Sequence, residues 1–415
     1  MQPVSLQPRF PADHRFGVLD AWRGVCALLV TIVHIPVLHA LQGTQVFMNM
    51  QMFVDFFFVL SGFVMSHAYG RSLDGPVKLE GFLIRRFGRI YPLHLAILLG
   101  FVALELVKLG VLTLAKMQVD GDPFTGPRSY ATLASNLFLM QSFNLHGMTT
   151  WNGPAWSISV EFYAYMVFAA AVLFAGMRTA LFTALATVAL AGLVAFSPNY
   201  IFATHDYGFL RCLYGFFVGC VVYQAVMRRG SGRLAGTAAE LGSVALLIGF
   251  MLLTGQNATS YLAPLVFAVV VYVFAFERGI VSKLLATGPA QALGLWSYSI
   301  YMVHMLIFTV EKMVLGLVAK KAILGFAIVQ VPTGRLWTFD NLALDTALFT
   351  LQIVLTLAIS KLTYDWIEDP WRRRFATIAR RREQALRAPA EAPSSSDCPA
   401  GIVTSLRVAR GPGLR

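Results

Sequence analysis

Charge is what this sequence has least of. Asp, Glu, Lys and Arg make up only 13% of its 415 residues, where a soluble domain carries about 25%. With 57% of residues hydrophobic, that deficit excludes an ordinary soluble enzyme and a disordered charged chain alike. Cysteine is scarce too. Cys26, Cys212, Cys220 and Cys398 form no Cys-x-x-Cys pair, so neither a disulfide framework nor a zinc site is indicated, and no metal is expected. No internal repeat is visible. No cleavable signal peptide is expected, because the first 15 residues are polar and the first apolar segment is long enough to span. Acids are outnumbered, 21 against 33 bases, for a formal net charge of +12. In a soluble protein that excess would suggest nucleic acid. Here the bases sit in short segments between apolar runs, which the positive-inside rule explains, and no nucleic-acid partner is expected.

Long apolar runs are what the sequence has instead. Hydropathy gives spans at about 18–41, 50–69, 90–114, 156–176, 179–197, 207–227, 236–254, 260–277, 295–318 and 342–365. The fold class is therefore all-α, a polytopic integral membrane protein of about ten transmembrane helices. Residues 129–146 are apolar but short and polar-interrupted, and read as a re-entrant or interfacial helix. Alternate loops carry Arg71, Lys78, Arg85, Arg86 and Arg89, then Arg178, then Arg228, Arg229 and Arg233, then Arg278 and Lys283, then the tail from Arg372. The opposite loops carry only Lys116, Arg128, Lys320, Lys321 and Arg335. That asymmetry expects both termini in the cytoplasm. The domain reading is a cytoplasmic segment over 1–17, a membrane domain over 18–375, and a basic, disordered cytoplasmic tail over 376–415.

Polar groups inside such spans are costly and mark function by default. Arg23 and His34 lie eleven residues apart in the first span, on one helical face and about 16 Å apart along the axis. That puts Arg23 near one membrane surface and His34 near mid-bilayer. His39, just past Pro36, reads as a polar lip residue. Asp55 sits near the outer end of span two, where it would orient a histidine or bind a substrate hydroxyl. Ser61 and Gly62 in the same span favour close helix packing. Arg86 and Arg89 share a face just ahead of Pro92, which fits the start of span three. They serve either as membrane anchoring or as a bed for phosphates. Trp156 belongs to an interfacial belt. Glu161 is a buried acid in span four, and Arg211 in span six needs an acid partner, for which Glu161 is the obvious candidate, or a water-filled cavity, as a salt bridge or as a substrate clamp. Tyr298, Tyr301 and His304 share one side of a late helix, as a cavity wall or as an aromatic packing stripe. Glu368-Asp-Pro370 would brace the last helix end.

Taken in order, these segments resemble the membrane-bound acyltransferase-3 family over about residues 15–375. The motifs are Arg23-x10-His34, Phe57-Phe-x-x-Ser-Gly-Phe63, Arg86-x-x-Arg-Ile-x-Pro92, Trp156-Ser-x-Ser-x-Glu-Phe-Tyr163, Ser297-Tyr-x-x-Tyr-x-x-His304 and the closing Glu368-x-Pro370. The resemblance implies an acyltransferase moving groups other than amino-acyl groups, in the bacterial inner membrane. It would carry an acyl group, usually acetyl, from cytoplasmic acyl-CoA to a hydroxyl on the far side, typically of a saccharide. It also implies that Arg23 and His34 are the family's essential pair, and that Arg86 and Arg89 are its cytoplasmic arginine motif.

The chemistry of the residues agrees with this. Alcohol acylation needs a base, and neutral His suits pH 7. An oxyanion needs hydroxyl or cationic donors. The expected catalytic set is His34, Arg23, Glu161 and Asp55. Arg86, Arg89, Arg23, Tyr298 and Tyr301 would hold acyl-CoA, and Trp156, Arg211 and His304 the acceptor. Direct transfer with His34 as base is expected, against an acyl-histidine intermediate. A transporter of a glycolipid or small metabolite is the competing class, although no paired broken helices mark two halves.

Overall fold

The computed structural model describes residues 10–11, 14–114, 116, 121–229, 236–320, 327–331 and 334–386. Fourteen α-helices lie among them. They are α1 (Gly17–His34), α2 (Gln45–Asn49), α3 (Phe53–Tyr69), α4 (Pro76–Thr113), α5 (Tyr130–Leu137), α6 (Trp156–Ala175) and α7 (Thr179–Phe196), then α8 (Gly208–Arg229), α9 (Thr237–Leu253), α10 (Ala263–Phe274), α11 (Ile280–Leu285), α12 (Gly288–Lys320), α13 (Leu342–Thr363) and α14 (Asp369–Ala385). Eight helical segments are long and apolar enough to cross a membrane, among the described residues. Two further apolar helices, over Thr237–Leu253 and Ala258–Phe274, are shorter and coincide with two of the ten expected spans. Large apolar side chains stand exposed along the outer helices, such as Phe174, Val188, Leu253 and Leu351. Only lipid makes such a surface favourable. The molecule is a multi-pass membrane protein.

Three boundaries differ from the hydropathy reading, each for a local reason. First, α1 stops at His34 rather than near 41. Pro36 drives the preceding residue out of the helical region, and Ile35 is extended at φ −63°, ψ 120°. His34 is thus the last residue of its helix. The chain beyond is pinned by an antiparallel hairpin, β1 (Ala327–Val331) and β2 (Gly334–Thr338). Trp337 N–H donates to Pro36 O (2.8 Å), and Leu38 N–H donates to Trp337 O (2.9 Å). His39 does not form an open lip. It is wedged between Phe47 and Phe349, at ring distances of 5.0 and 4.9 Å. Burial there pushes its imidazole below the ordinary value, so it packs as a neutral ring.

Second, Pro92 lies inside α4 and does not start it. Pro76 holds the first turn instead, and α4 runs 38 residues, roughly 57 Å. Third, regular helix does not stop at 375. A π-helical turn (Tyr364–Glu368) joins α13 to α14, which packs along the first half of α4. Phe375 fills the space beside Gly88, where a Cβ would lie 2.1 Å from its own. Glu383 pairs with Arg85 (2.8 Å) and Lys78 (3.4 Å). These contacts keep 376–385 folded against α4, where the sequence suggested a loose tail. The rest of that tail, from 387, lies outside the described residues. Within 129–146 the helix is α5, whose eight residues are far too few to span.

The centre of the bundle is two helix pairs that run side by side in the same direction. In the first, Gly24 of α1 faces Leu293 and Gly294 of α12, and Gly294 faces Asp20 and Ala21. A Cβ on either glycine would fall 2.4–2.6 Å from the partner's backbone. In the second, Gly62 of α3 meets Phe216 of α8, and Gly219 of α8 meets Val59 in the same way. α3 and α8 are the most buried long helices, while α4, α7 and α13 face outward.

Candidate active site

Because α1 and α12 touch backbone to backbone at Gly24 and Gly294, their polar residues line up. His34 and His304 end as neighbours, with ring centroids 5.1 Å apart and planes at 48°. Each ring donates from Nδ1 to the carbonyl four residues back, Val30 (2.8 Å) for His34 and Ile300 (3.2 Å) for His304. A carbonyl only accepts, so Nδ1 carries the hydrogen in both bonds, and in the neutral ring Nε2 keeps its lone pair. His304 Nε2 is buried with no protein partner among the described residues. Two basic nitrogens are thereby left available at one spot in an apolar interior.

Below this pair, toward the end that bears both α14 and the start of α1, lies a cavity of about 260 Å³. Arg23, Arg86, Arg89 and Arg372 line it, with Glu161, Tyr165, Tyr298 and Tyr301 and the hydroxyls of Ser61, Ser157 and Ser297. The arginines are held differently. Arg89 pairs with the buried Glu368 and lies over the Tyr298 ring at 5.7 Å. Arg23 reaches Asp20 at 3.5 Å. Arg86 donates to the Tyr69 hydroxyl (3.1 Å) and stacks on Tyr69 and Tyr165. Its Nε is buried without a partner, and no carboxylate pairs with it among the described residues. Glu161 accepts from the Tyr165 hydroxyl (2.8 Å), which also meets Ser61 (3.2 Å). Tyr298 donates to Ile90 O (2.6 Å) and ties α12 to α4. Tyr301 forms the step from cavity to histidines: its ring is 6.1 Å from that of His304, and its hydroxyl bonds Ser157 and Pro154 O at 2.8 Å each. Tyr301 thus lines the cationic chamber and neighbours a pair of imidazoles that do not themselves line it.

The sequence matches the acyltransferase domain of the acyltransferase-3 family over residues 16–364. The chain belongs to this family. A protein of Rhizobium radiobacter described as "Protein 2 in picA locus" is 35% identical over 162 residues, which is 37% of this chain and 81% of that protein. No solved structure matches. Family and architecture together make the protein a membrane acyltransferase.

Within this acyltransferase the expected site residues separate into two groups. Arg23, Arg86, Arg89, Glu161, Tyr298 and Tyr301 share the cavity, and His34 and His304 sit beyond it. Asp55, Arg211 and Trp156 do not join them. Arg211 does not pair with Glu161. It grips Asp55 through two parallel bonds of 2.9 and 2.7 Å, because α3 and α8 are close-packed partners and α6 is not between them. It also donates to Ala203 O and Gln51 O, and its guanidinium lies 5.1 Å over the Trp156 ring. With side-chain exposures of 2% and 0%, this pair is sealed, and Trp156 is its buried cover. Sequence reading missed Tyr165, Tyr69 and Arg372. Tyr165 had a signal, since it stands one helical turn from Glu161. Arg372 had none, because it stood among arginines that read as membrane anchoring.

Proposed function

We propose that this protein is an O-acyltransferase that takes an acyl group, most simply acetyl, from acyl-CoA on the cytoplasmic side and passes it to a hydroxyl of a saccharide or related acceptor on the far side. The reading also sets the protein in a bacterial inner membrane with both termini cytoplasmic, following the distribution of basic loops. The observation that carries it is the arginine-lined cavity with Tyr301 on its wall and the His34–His304 pair on the far side of that tyrosine's ring. CoA is a polyphosphate at the end of a thin pantetheine arm. Arg86, unpaired with acid, and Arg23 are suited to its phosphates. The arm is comparable in length with the Arg23-to-His34 rise, about 16 Å. The thioester reaches the histidines without CoA crossing the membrane.

In the transfer, His34 Nε2 takes the proton of the acceptor hydroxyl as its oxygen attacks the thioester carbon. A C–O bond forms, and the C–S bond breaks as the tetrahedral intermediate collapses. The proton then passes to the departing thiolate, releasing CoA as the thiol. Hydrogen-bonded Nδ1 holds the ring in the tautomer this needs. The Tyr301 ring lies beside His304, and its hydroxyl would have to turn from Pro154 O to stabilise the oxyanion.

The test is purified protein in detergent with acetyl-CoA and a mixture of saccharide acceptors, following free thiol and acylated product. Acceptor-dependent CoA release is expected, with no acyl-enzyme trapped when acceptor is omitted. Stoichiometric labelling of the protein without acceptor would replace direct transfer by an acyl-histidine route. Absence of any release across donors would sink the acyl-CoA assignment.

A further inference from the structure

α14 has three distinct sides. Phe375, Ala379 and Glu383 pack on α4. Trp371 and Ile378, seven residues apart, form an exposed apolar stripe, each 40% exposed, and Trp366 just before the helix is 73% exposed. Arg374 and Arg381 repeat at the same spacing on the flank of that stripe, while Arg373 and Arg380 lie round on the opposite side of the helix. Arg372 and Arg373 are taken up by Asp369, and Arg382 reaches Glu80. Arg374, Arg380 and Arg381 have no carboxylate partner among the described residues, and Arg374 lies 5.2 Å over the Trp371 ring.

Exposed tryptophan and isoleucine beside unpaired arginines, directly after a membrane span, fit a helix lying at headgroup level. The charge selects the partner: unpaired guanidiniums grip phosphate oxygens, and the adjoining apolar stripe suits acyl chains rather than water. The same helix is fastened to the cavity. Glu383 holds Arg85, Phe375 seats on Gly88, and Glu368, one residue before α14, holds Arg89. Arg372 itself lines the chamber.

We propose that α14 is a docking surface for anionic phospholipid headgroups, and that its grip on them sets the arginines of the cavity. The second half rests on the reading of that cavity as the donor site.

The test uses the full chain, delipidated in detergent, with added phosphatidylglycerol or phosphatidylcholine, and reads retained lipid by native mass spectrometry. Wild type retains phosphatidylglycerol selectively. The R374Q/R380Q/R381Q variant loses that retention on the order of tenfold or more, and the corresponding triple lysine variant keeps most of it. Equal retention by wild type and the glutamine variant overturns the docking surface, as does a lysine variant that fails like glutamine. Should the glutamine variant not fold, wild-type retention must fall as salt rises from about 50 to 500 mM, and insensitivity to salt overturns the proposal. In vesicles, phosphatidylglycerol lowers the acetyl-CoA KM of wild type several-fold and leaves that of the glutamine variant unchanged. Selective retention with no change in KM overturns the coupling alone. A wild type with no acetyl-CoA turnover sinks the donor reading and leaves the retention result standing.

Discussion

The Asp55–Arg211 pair and the cavity both bury arginine near acid, and they are built in opposite ways. At Asp55–Arg211 every guanidinium nitrogen has a partner, the geometry is bidentate, and a tryptophan closes the face. In the cavity, Arg86 has a hydroxyl and two rings for company but no carboxylate, and Glu161 has only a tyrosine. The first arrangement answers its own charges and has nothing left to offer a ligand. The second leaves charge unanswered in a low-dielectric space, which is the condition for binding something anionic. Arg89 stands between the two, facing the cavity but already neutralised by Glu368. Burial and charge alone therefore do not mark a site. The unsatisfied remainder does.

Breaking the sealed pair should have the largest effect. Asp55→Ala or Arg211→Ala strands a buried charge and should cost about 3–5 kcal/mol, read as loss of monodisperse folded protein or a steep fall in Tm. The Asp55→Leu/Arg211→Met double variant should recover much of that stability, since a sealed structural pair is replaceable by apolar packing. Arg89→Ala comes next, because it leaves Glu368 buried and unpaired. A loss of about 3 kcal/mol in thermal stability is expected, together with loss of transfer. Arg86→Ala strands no acid. Its Tm should hold while the donor KM rises about 10–100-fold, the worth of one or two charge-assisted hydrogen bonds. Similar Tm losses for Arg86→Ala and Arg211→Ala would erase the distinction between the two regions. The smallest effect is expected at His39. If it serves as packing between Phe47 and Phe349, His39→Phe should change stability by about 1 kcal/mol or less and leave transfer unchanged.

Much of this was legible in the chain. Apolar runs of spanning length locate the long helices, and Arg23, His34, Arg86, Glu161, Tyr298 and Tyr301 stand out in the chain as costly or one-sided polar residues. What sequence could not give was the pairing of charges, because that depends on which helices touch. The choice of Asp55 over Glu161 by Arg211 follows from α3 packing on α8. The one available hint was Gly215-Phe-Phe-Val-Gly219, a small-residue spacing that lets a helix approach a neighbour closely. Helix ends were misjudged where hydropathy and backbone chemistry disagree. Apolar residues continue past His34, but Pro36 ends α1. Charged residues precede Pro92, yet α4 runs through them because α14 supplies Glu383 and Phe375 to match.

The most direct measurement is acceptor-dependent CoA release by purified His34→Ala protein, set beside wild type at saturating acetyl-CoA. His34 ends its helix with Nε2 free, so removing it deletes the base and leaves the α1–α12 contact at Gly24 and Gly294 intact. Release is expected to fall by about 10²–10⁴-fold with Tm and donor binding unchanged. Near wild-type turnover in a folded His34→Ala protein would contradict the assignment of His34 as the base.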